Sequence, residues 1–318
     1  MSIYYTTYKV PFTQYLNLNM SNPSTIRRAY LELHLAVLLF GFTAILGDLI
    51  QLTALVLVWW RVLLTSASLF PFVNPFKIWK DLGAVMVCRF AGIGVIVALH
   101  WLTFYGAIKW SNASICLICM AMTSFFTSFL EPLIVGRPFR WYEMLIGLLI
   151  IPGMVLIVNN IESGMMMGVV SGLTSAFLAA AFATYNKKYI GQYNSMRITF
   201  LELSSAWLFL SIVLIILFLG GADFGLFWPA ALSDWGYLII LALLCTSFAY
   251  TISLRALRHI SAFAANLTVN LEPVYGIFLA WILLNENKEL GNGFYWGVLL
   301  ILLSVFSYPL IKKRMENT

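Results

Sequence analysis

Ten apolar stretches of membrane length divide this chain, and its basic residues are sorted by the connections between them. Alternating the connections from an inner N-terminus places Lys9, Arg27, Arg28, Lys77, Lys80, Arg137 and Arg140 on the inner side. Lys187, Lys188, Arg197, Arg255, Arg258, Lys312, Lys313 and Arg314 join them there. Only Lys109 and Lys288 fall on the outer side, while Arg61 and Arg89 lie within apolar runs. A wrong number of spans would invert the alternation partway and mix the two sets. The positive-inside rule therefore predicts ten spans with both termini cytoplasmic.

The predicted spans are 30–50, 53–73, 82–108, 111–136, 141–159, 164–186, 197–219, 235–256, 261–284 and 293–311. They divide the chain into an N-terminal tail (1–29), a first five-span unit (30–159), a second (160–311) and a C-terminal tail (312–318). Ten spans of about 20 residues use about 200 residues, and the 318 present leave room only for short connections. Charged residues make up 10% of the chain, against about 25% in a soluble domain. The formal charge of +6 fits inner loops beside an anionic leaflet and gives no reason to invoke nucleic acid.

Breaking residues mark the connections, among them Asn74-Pro75, Arg137-Pro138 and Gly220-Gly221. Tryptophans gather at the predicted ends: Trp79 and Trp141 inside, Trp110, Trp228, Trp235 and Trp296 outside. This is the aromatic belt of the two membrane interfaces. The tail before residue 29 lacks a membrane period and is expected to be mobile, and Met20 reads as a second start. Cys116 and Cys119 form a C-x-x-C in mid-span with no basic neighbour to stabilise a thiolate, so a structural role is expected.

The two halves repeat. Tyr105-Gly-Ala-Ile-Lys-Trp-Ser-Asn-Ala-Ser corresponds to Leu254-Arg-Ala-Leu-Arg-His-Ile-Ser-Ala-Phe at a shift of 149. The same shift pairs Ser124 with Pro273 and Arg137 with Glu286. Five spans per unit is an odd number, so the second unit enters the membrane inverted. Inverted repeats are typical of secondary transporters, with the substrate near mid-membrane between the halves. The sixth span also carries small residues every fourth position, from Gly164 through Gly168, Gly172, Ala176 and Ala180 to Thr184. They form either a packing seam or a face on which another helix slides.

An ionisable group inside a span is costly unless paired or hydrated, which makes each one a candidate. Glu272 lies close to the midplane of the ninth span, and Pro273 beside it weakens the helix and frees a carbonyl. This pair is the candidate for coupling, by binding a proton or a cationic group, or for an architectural role. Arg61 and His100 lie at matched depth toward the outer face, and Trp101 and Tyr105 share a face one turn apart. The expected substrate cavity therefore combines His100, Trp101, Tyr105, Arg61 and Asn270, opening outward. Asn266 and Asn270 point together, away from Glu272, so one narrow cavity is not expected to take both faces of a continuous helix. Arg89 and Glu131, at similar depth on adjacent spans, are expected to form a buried ion pair. Trp59, Trp60, Trp101, Tyr185, Trp207, Tyr250 and Tyr275 lie away from the belts and are either packing aromatics or a lining for organic cations.

Asn-Leu-Glu-Pro-Val-Tyr at 270–275, with Leu-Ala-Trp-Ile-Leu-Leu-Asn-Glu at 279–286, resembles the ninth-helix signature of EamA-type members of the drug/metabolite transporter superfamily. Tyr105-Gly-Ala-Ile-Lys-Trp-Ser-Asn-Ala and Arg61 match that family too, and the resemblance spans 30–311. It implies a ten-helix carrier of small molecules, commonly an exporter of amino acids, related metabolites or toxic organics. Two positions depart from the pattern. Ser124 stands where the first repeat often has proline, and Arg137 where an acidic residue often ends the fourth helix.

No phosphate-binding G-x-x-x-x-G-K-[ST] is present, and the histidines His34, His100 and His259 lie far apart in sequence. No cofactor, metal or catalytic residue is expected. The chain reads as an all-α membrane protein of ten helices in two inverted repeats. As a function, it reads as a secondary transporter of the inner or plasma membrane. The expected cargo is a small amino-acid-like or aromatic, cationic metabolite, carried outward by alternating access. The expected partners are substrate, lipid and protons, with the chain a monomer or weak dimer. The rival readings are an intramembrane enzyme acting on a lipid-linked substrate and a channel-like pore.

Overall fold

The computed structural model describes residues 23–111, 113–157, 165–191, 193–272, 274–275 and 292–316. Most of these residues are helical, and there is no strand among them. Eight of the helical segments are long and apolar enough to cross a membrane, and Trp141–Gly153 is a shorter apolar one. The predicted fifth span is described to residue 157 and the ninth to 275, so both calls fall partly outside the described residues.

Helix α1 is Pro23–Leu49, α2 is Ala54–Leu69 and α3 is Pro75–Trp110. At 36 residues, α3 would reach about 54 Å if straight, well beyond a hydrocarbon core of about 30 Å. It bends at Gly83, where φ is 72° and glycine alone avoids a Cβ clash. The kink separates an amphipathic lead-in from the crossing segment, at the position where the third predicted span begins. Asn74 caps α3 by accepting from the Lys77 N–H.

The predicted fourth span is two helices, α4 (Ala113–Met120) and α5 (Met122–Val135), which meet at Ala121. Helix α5 ends at Gly136 in the left-handed conformation. Helix α6 is Trp141–Ile157, α7 is Met166–Tyr189 and α8 is Ser195–Leu219. The eighth span comprises α9 (Leu232–Ala242), a π-helical turn (Leu243–Phe248) and α10 (Ala249–Leu257). Helix α11 is Ala262–Val269 and α12 is Asn292–Glu316.

Packing follows the small residues. Gly168, Gly172, Ala176, Ala180 and Thr184 of α7 are buried, and α7 packs on α3, α4 and α5. A Cβ at Gly172 would meet the Cys119 side chain at 2.6 Å, and one at Gly168 the Ala107 carbonyl oxygen at 3.1 Å. The stripe is therefore a close-packed seam; Gly164 lies outside the described residues. Cys116 and Cys119 are buried and donate to the carbonyls of Phe104 and Val169. On the other face of the bundle, leucines, isoleucines and phenylalanines of α8 are exposed as a band, matching a lipid solvent.

The start of α1 and the end of α12 lie on one side. Glu32 near the start of α1 accepts from Arg28 at 2.9 Å and from Arg255 of α10 at 2.7 Å. Lys187 of α7 donates to the Leu257 and Arg258 carbonyls, and Lys312 of α12 is close enough to repel it. We call this the terminal side. The distal side holds an aromatic cluster, in which Trp60 donates to the Phe227 carbonyl and Trp59 to Ser211.

Candidate functional site

The two halves meet through their interrupted helices. Helix α11 stops at Val269, and Asn270 and Leu271 form a turn before the chain resumes helical geometry at Glu272. The repeat shift of 149 maps the break at Ala121 onto Asn270, so each half interrupts the same helix at the same place. Asn270 donates to Ser124 Oγ at 3.0 Å and Asn266 donates to Thr127 Oγ1 at 2.7 Å, lacing one broken helix to the other. Ser124, where proline was expected from the family pattern, is thus the acceptor opposite Asn270. Pro273 lies outside the described residues.

Beside this seam lies a cavity of about 120 Å³. Helix α2 contributes Arg61, α3 contributes His100, Trp101 and Phe104, α10 contributes Tyr250, and the ninth span contributes Asn266 and Glu272. The break changes one expectation. In a continuous helix Asn266 and Glu272 would point apart, but the turn at 270–271 brings both to the same cavity. Asn270 faces Ser124 and is not in the lining, and Tyr105 stands behind it.

Arg61 is the organiser. It is 2% exposed, donates from Nε to Thr246 Oγ1 at 2.8 Å and from an Nη to the Tyr105 hydroxyl at 2.8 Å. Its guanidinium lies 3.9 Å from the centre of the Trp101 ring, a cation–π contact in a desolvated site. Glu272 faces Arg61, with Thr43 of α1 beside its carboxylate. The cavity thus presents a guanidinium and a carboxyl group, an indole face and a few fixed polar groups within an apolar wall. His100 is held from behind. Its Nδ1 is 3.0 Å from the Ser175 carbonyl oxygen, which can only accept, so Nδ1 carries the proton and Nε2 is the acceptor.

Two expectations need correcting. The lining runs from Thr43 and Arg61 toward Asn186 and Leu257, near the ends of α7 and α10. It therefore extends toward the terminal side, whereas the sequence pointed outward. The reason is that His100 and Arg61 form its distal end, and the small side chains Ala179, Ala183 and Ala265 leave space below them. The expected Arg89–Glu131 pair does not form. Arg89 is exposed with its guanidinium over the Tyr189 ring. Glu131 instead accepts from Arg137 at 2.9 Å and from the N–H groups of Ala262 and Phe263 at 2.9 Å each. Arg137 also holds Glu143, which Tyr308 reaches at 3.1 Å. The basic residue at the end of the fourth span thus bridges two carboxylates, Glu131, which the sequence had assigned to Arg89, and Glu143.

Among the aromatics set aside as candidates, Trp101 and Tyr250 line the cavity, whereas Trp59, Trp60 and Trp207 belong to the distal cluster. Sequence reading missed Glu202, which is fully buried in α8 and accepts from the Tyr250 hydroxyl at 2.6 Å. Its signal was an acidic residue within an apolar span, overlooked because counting from the span start placed it near the interface.

Broken helices paired across two repeats, with a polar cavity at their junction, define a membrane transporter architecture. The EamA-like transporter family matches twice, over residues 27–159 and 166–308, and the chain belongs to that family. It is accordingly a membrane transporter of small molecules built from two repeats. A protein of known crystal structure, 12% identical, superposes with a TM-score of 0.68 over 93% of this chain and 100% of its own, a likeness of fold alone. No curated protein sequence matches.

Proposed function

We propose that the chain is a secondary transporter of the inner or plasma membrane that exports a small amphiphilic metabolite, amino-acid-like or aromatic and cationic, by alternating access. The observation that carries this reading is the cavity in which Arg61, stacked on Trp101, faces Glu272 between the two broken helices. Ligand pockets measure about 300–1,000 Å³, so a cavity of about 120 Å³ requires the helices around it to part as substrate enters. Its extension toward the terminal side supports loading from the cytoplasm if both termini lie there.

That orientation follows from the basic-residue sorting. Cysteines placed at exposed Asp223 and Lys313, with Cys88 replaced by serine, test it. An impermeant thiol reagent is expected to label position 223, and not 313, in intact cells. The reverse pattern would overturn the orientation and with it the direction of export.

Substrate is sought by thermal-shift screening of amino acids, nucleosides and organic cations on purified protein, since a ligand stabilises by mass action whatever its direction of travel. With a hit in hand, Trp101→Ala is expected to weaken binding roughly thirtyfold, because an indole face under a desolvated cation contributes about 2 kcal/mol. Trp60→Ala, in the distal cluster, is expected to leave affinity unchanged. Equal losses in both variants would place the binding site elsewhere. Saturable counterflow in liposomes then separates a carrier from a pore or an enzyme.

A further inference from the structure

We propose that Glu202 is a proton-binding site set behind the cavity wall, its carboxyl held in the acid form and linked to the cavity by the Tyr250 hydroxyl. Glu202 sits on α8 and is fully buried, outside the cavity lining. Tyr250 of α10 donates to its Oε2 at 2.6 Å, and Asn186 of α7 reaches the same oxygen at 3.4 Å. Both of these neighbours do line the cavity. Glu202 is therefore one side chain removed from whatever occupies that space.

Two independent observations require a proton. The first is charge. Among the described residues no cation pairs with Glu202. Of the basic groups on the helices packed against α8, Arg61 is committed to Tyr105, Thr246 and Trp101, Arg89 to the Tyr189 ring, His100 to Ser175, Lys109 to the Ile50 carbonyl and Arg255 to Glu32, while Lys77 and Lys80 are exposed before the Gly83 kink. On α8 itself, Arg197 pairs with Asp81. On α3, Gly94 packs against the backbone of Glu202. An isolated carboxylate in a low-dielectric interior takes up a proton rather than remain charged. The second observation is the count of donors. Glu202 Oε1 and Asn186 Oδ1 are both buried without a donor, so the cluster holds more acceptors than donors. One proton on the carboxyl removes the charge and one unmet acceptor together. Glu272 is the contrast: its carboxyl faces the Arg61 guanidinium.

Exchange of the proton with the cavity balances through Tyr250. The hydroxyl, which donates to Glu202 Oε2 at rest, first turns its proton to a water in the cavity; its oxygen then receives the carboxyl proton of Glu202 as its own passes to that water, leaving Glu202 ionised and Tyr250 neutral. In transport this supplies a coupling site separate from the Arg61–Glu272 pair. That use rests on the proposed function, but the proton site itself rests on burial, partners and the donor count alone.

Infrared spectroscopy of the purified full chain at neutral pH tests it without any substrate. A component of the carbonyl stretch of acid-form carboxyls is expected to be lost in Glu202→Gln and retained in Glu272→Gln. Tyr250→Phe is expected to keep the band and move it to higher frequency, because one hydrogen bond to the carboxyl is removed. This second variant decides the matter if Glu202→Gln does not fold. Absence of the band in the unaltered protein, its survival in Glu202→Gln, or an unmoved band in Tyr250→Phe would each overturn the proposal. None of these outcomes bears on whether the protein carries a metabolite, which counterflow tests separately.

Discussion

Arg137→Met is expected to destabilise the folded protein by about 3–5 kcal/mol, since removing one partner leaves a buried charge uncompensated. Here it leaves two. Arg137 is 8% exposed and joins Glu131 of α5 to Glu143 of α6. Arg140 reaches Glu143 at 3.5 Å and relieves that carboxylate in part. Glu131 also accepts from the N–H groups at the start of α11. Those contacts orient the carboxylate at the positive end of the helix dipole without replacing a counter-ion. Arg137→Lys is expected to recover only part of the loss, because a single ammonium does not reproduce the fork that spans both carboxylates. Unfolding of the purified variants in detergent measures the effect. A change below about 1 kcal/mol for Arg137→Met would mean that the carboxylates are hydrated or protonated.

Gly94→Ala is expected to produce the second large loss, about 1–3 kcal/mol or more. A Cβ at Gly94 would strike the carbonyl oxygen of Glu202 and sit 2.8 Å from its carbonyl carbon. Those are backbone atoms of α8, and no rotamer change clears them, so the two helices must separate. Close backbone approach at small residues is what holds helices together in lipid, where no hydrophobic driving force acts between them. Gly92→Ala is the control: on the same helix, a Cβ there meets nothing within 4 Å. The fraction of monodisperse protein recovered by size exclusion should fall for Gly94→Ala and hold for Gly92→Ala. Similar yields for the pair would show that the α3–α8 contact is loose.

The spans were legible because lipid imposes one rule on every segment: apolar length with internally satisfied backbone. Basic-residue sorting and the 149-residue shift carried the two-repeat architecture, and the start of the third span fell at the Gly83 kink. Pairings were less legible. Arg89 and Glu131 matched in depth, but depth leaves azimuth open, and Glu131 turns toward Arg137 and α11. Asn266 and Glu272 seemed opposed because helical phase was carried across a break that the residues themselves do not announce. Asn186 escaped notice because a neutral amide near a basic pair, Lys187 and Lys188, resembles an interface residue. Its role depends on a contact with a helix that follows it in the chain and packs behind it.

The π-helical turn at Leu243–Phe248 bears on how this site arose. Ala249 donates to the Leu244 carbonyl five residues back, so the turn holds one residue more than an α-helix would. The extra residue rotates everything after it by about 100° relative to everything before it. Thr246, which holds Arg61, lies within the turn, and Tyr250, which holds Glu202, lies just beyond it. A single inserted codon would have sufficed to bring the two side chains to their stations at once, with the flanking helices undisturbed. Relatives that lack the insertion should show a one-residue gap at 243–248. In such relatives the arginine and the buried carboxylate would not both find their hydroxyl partners on this helix.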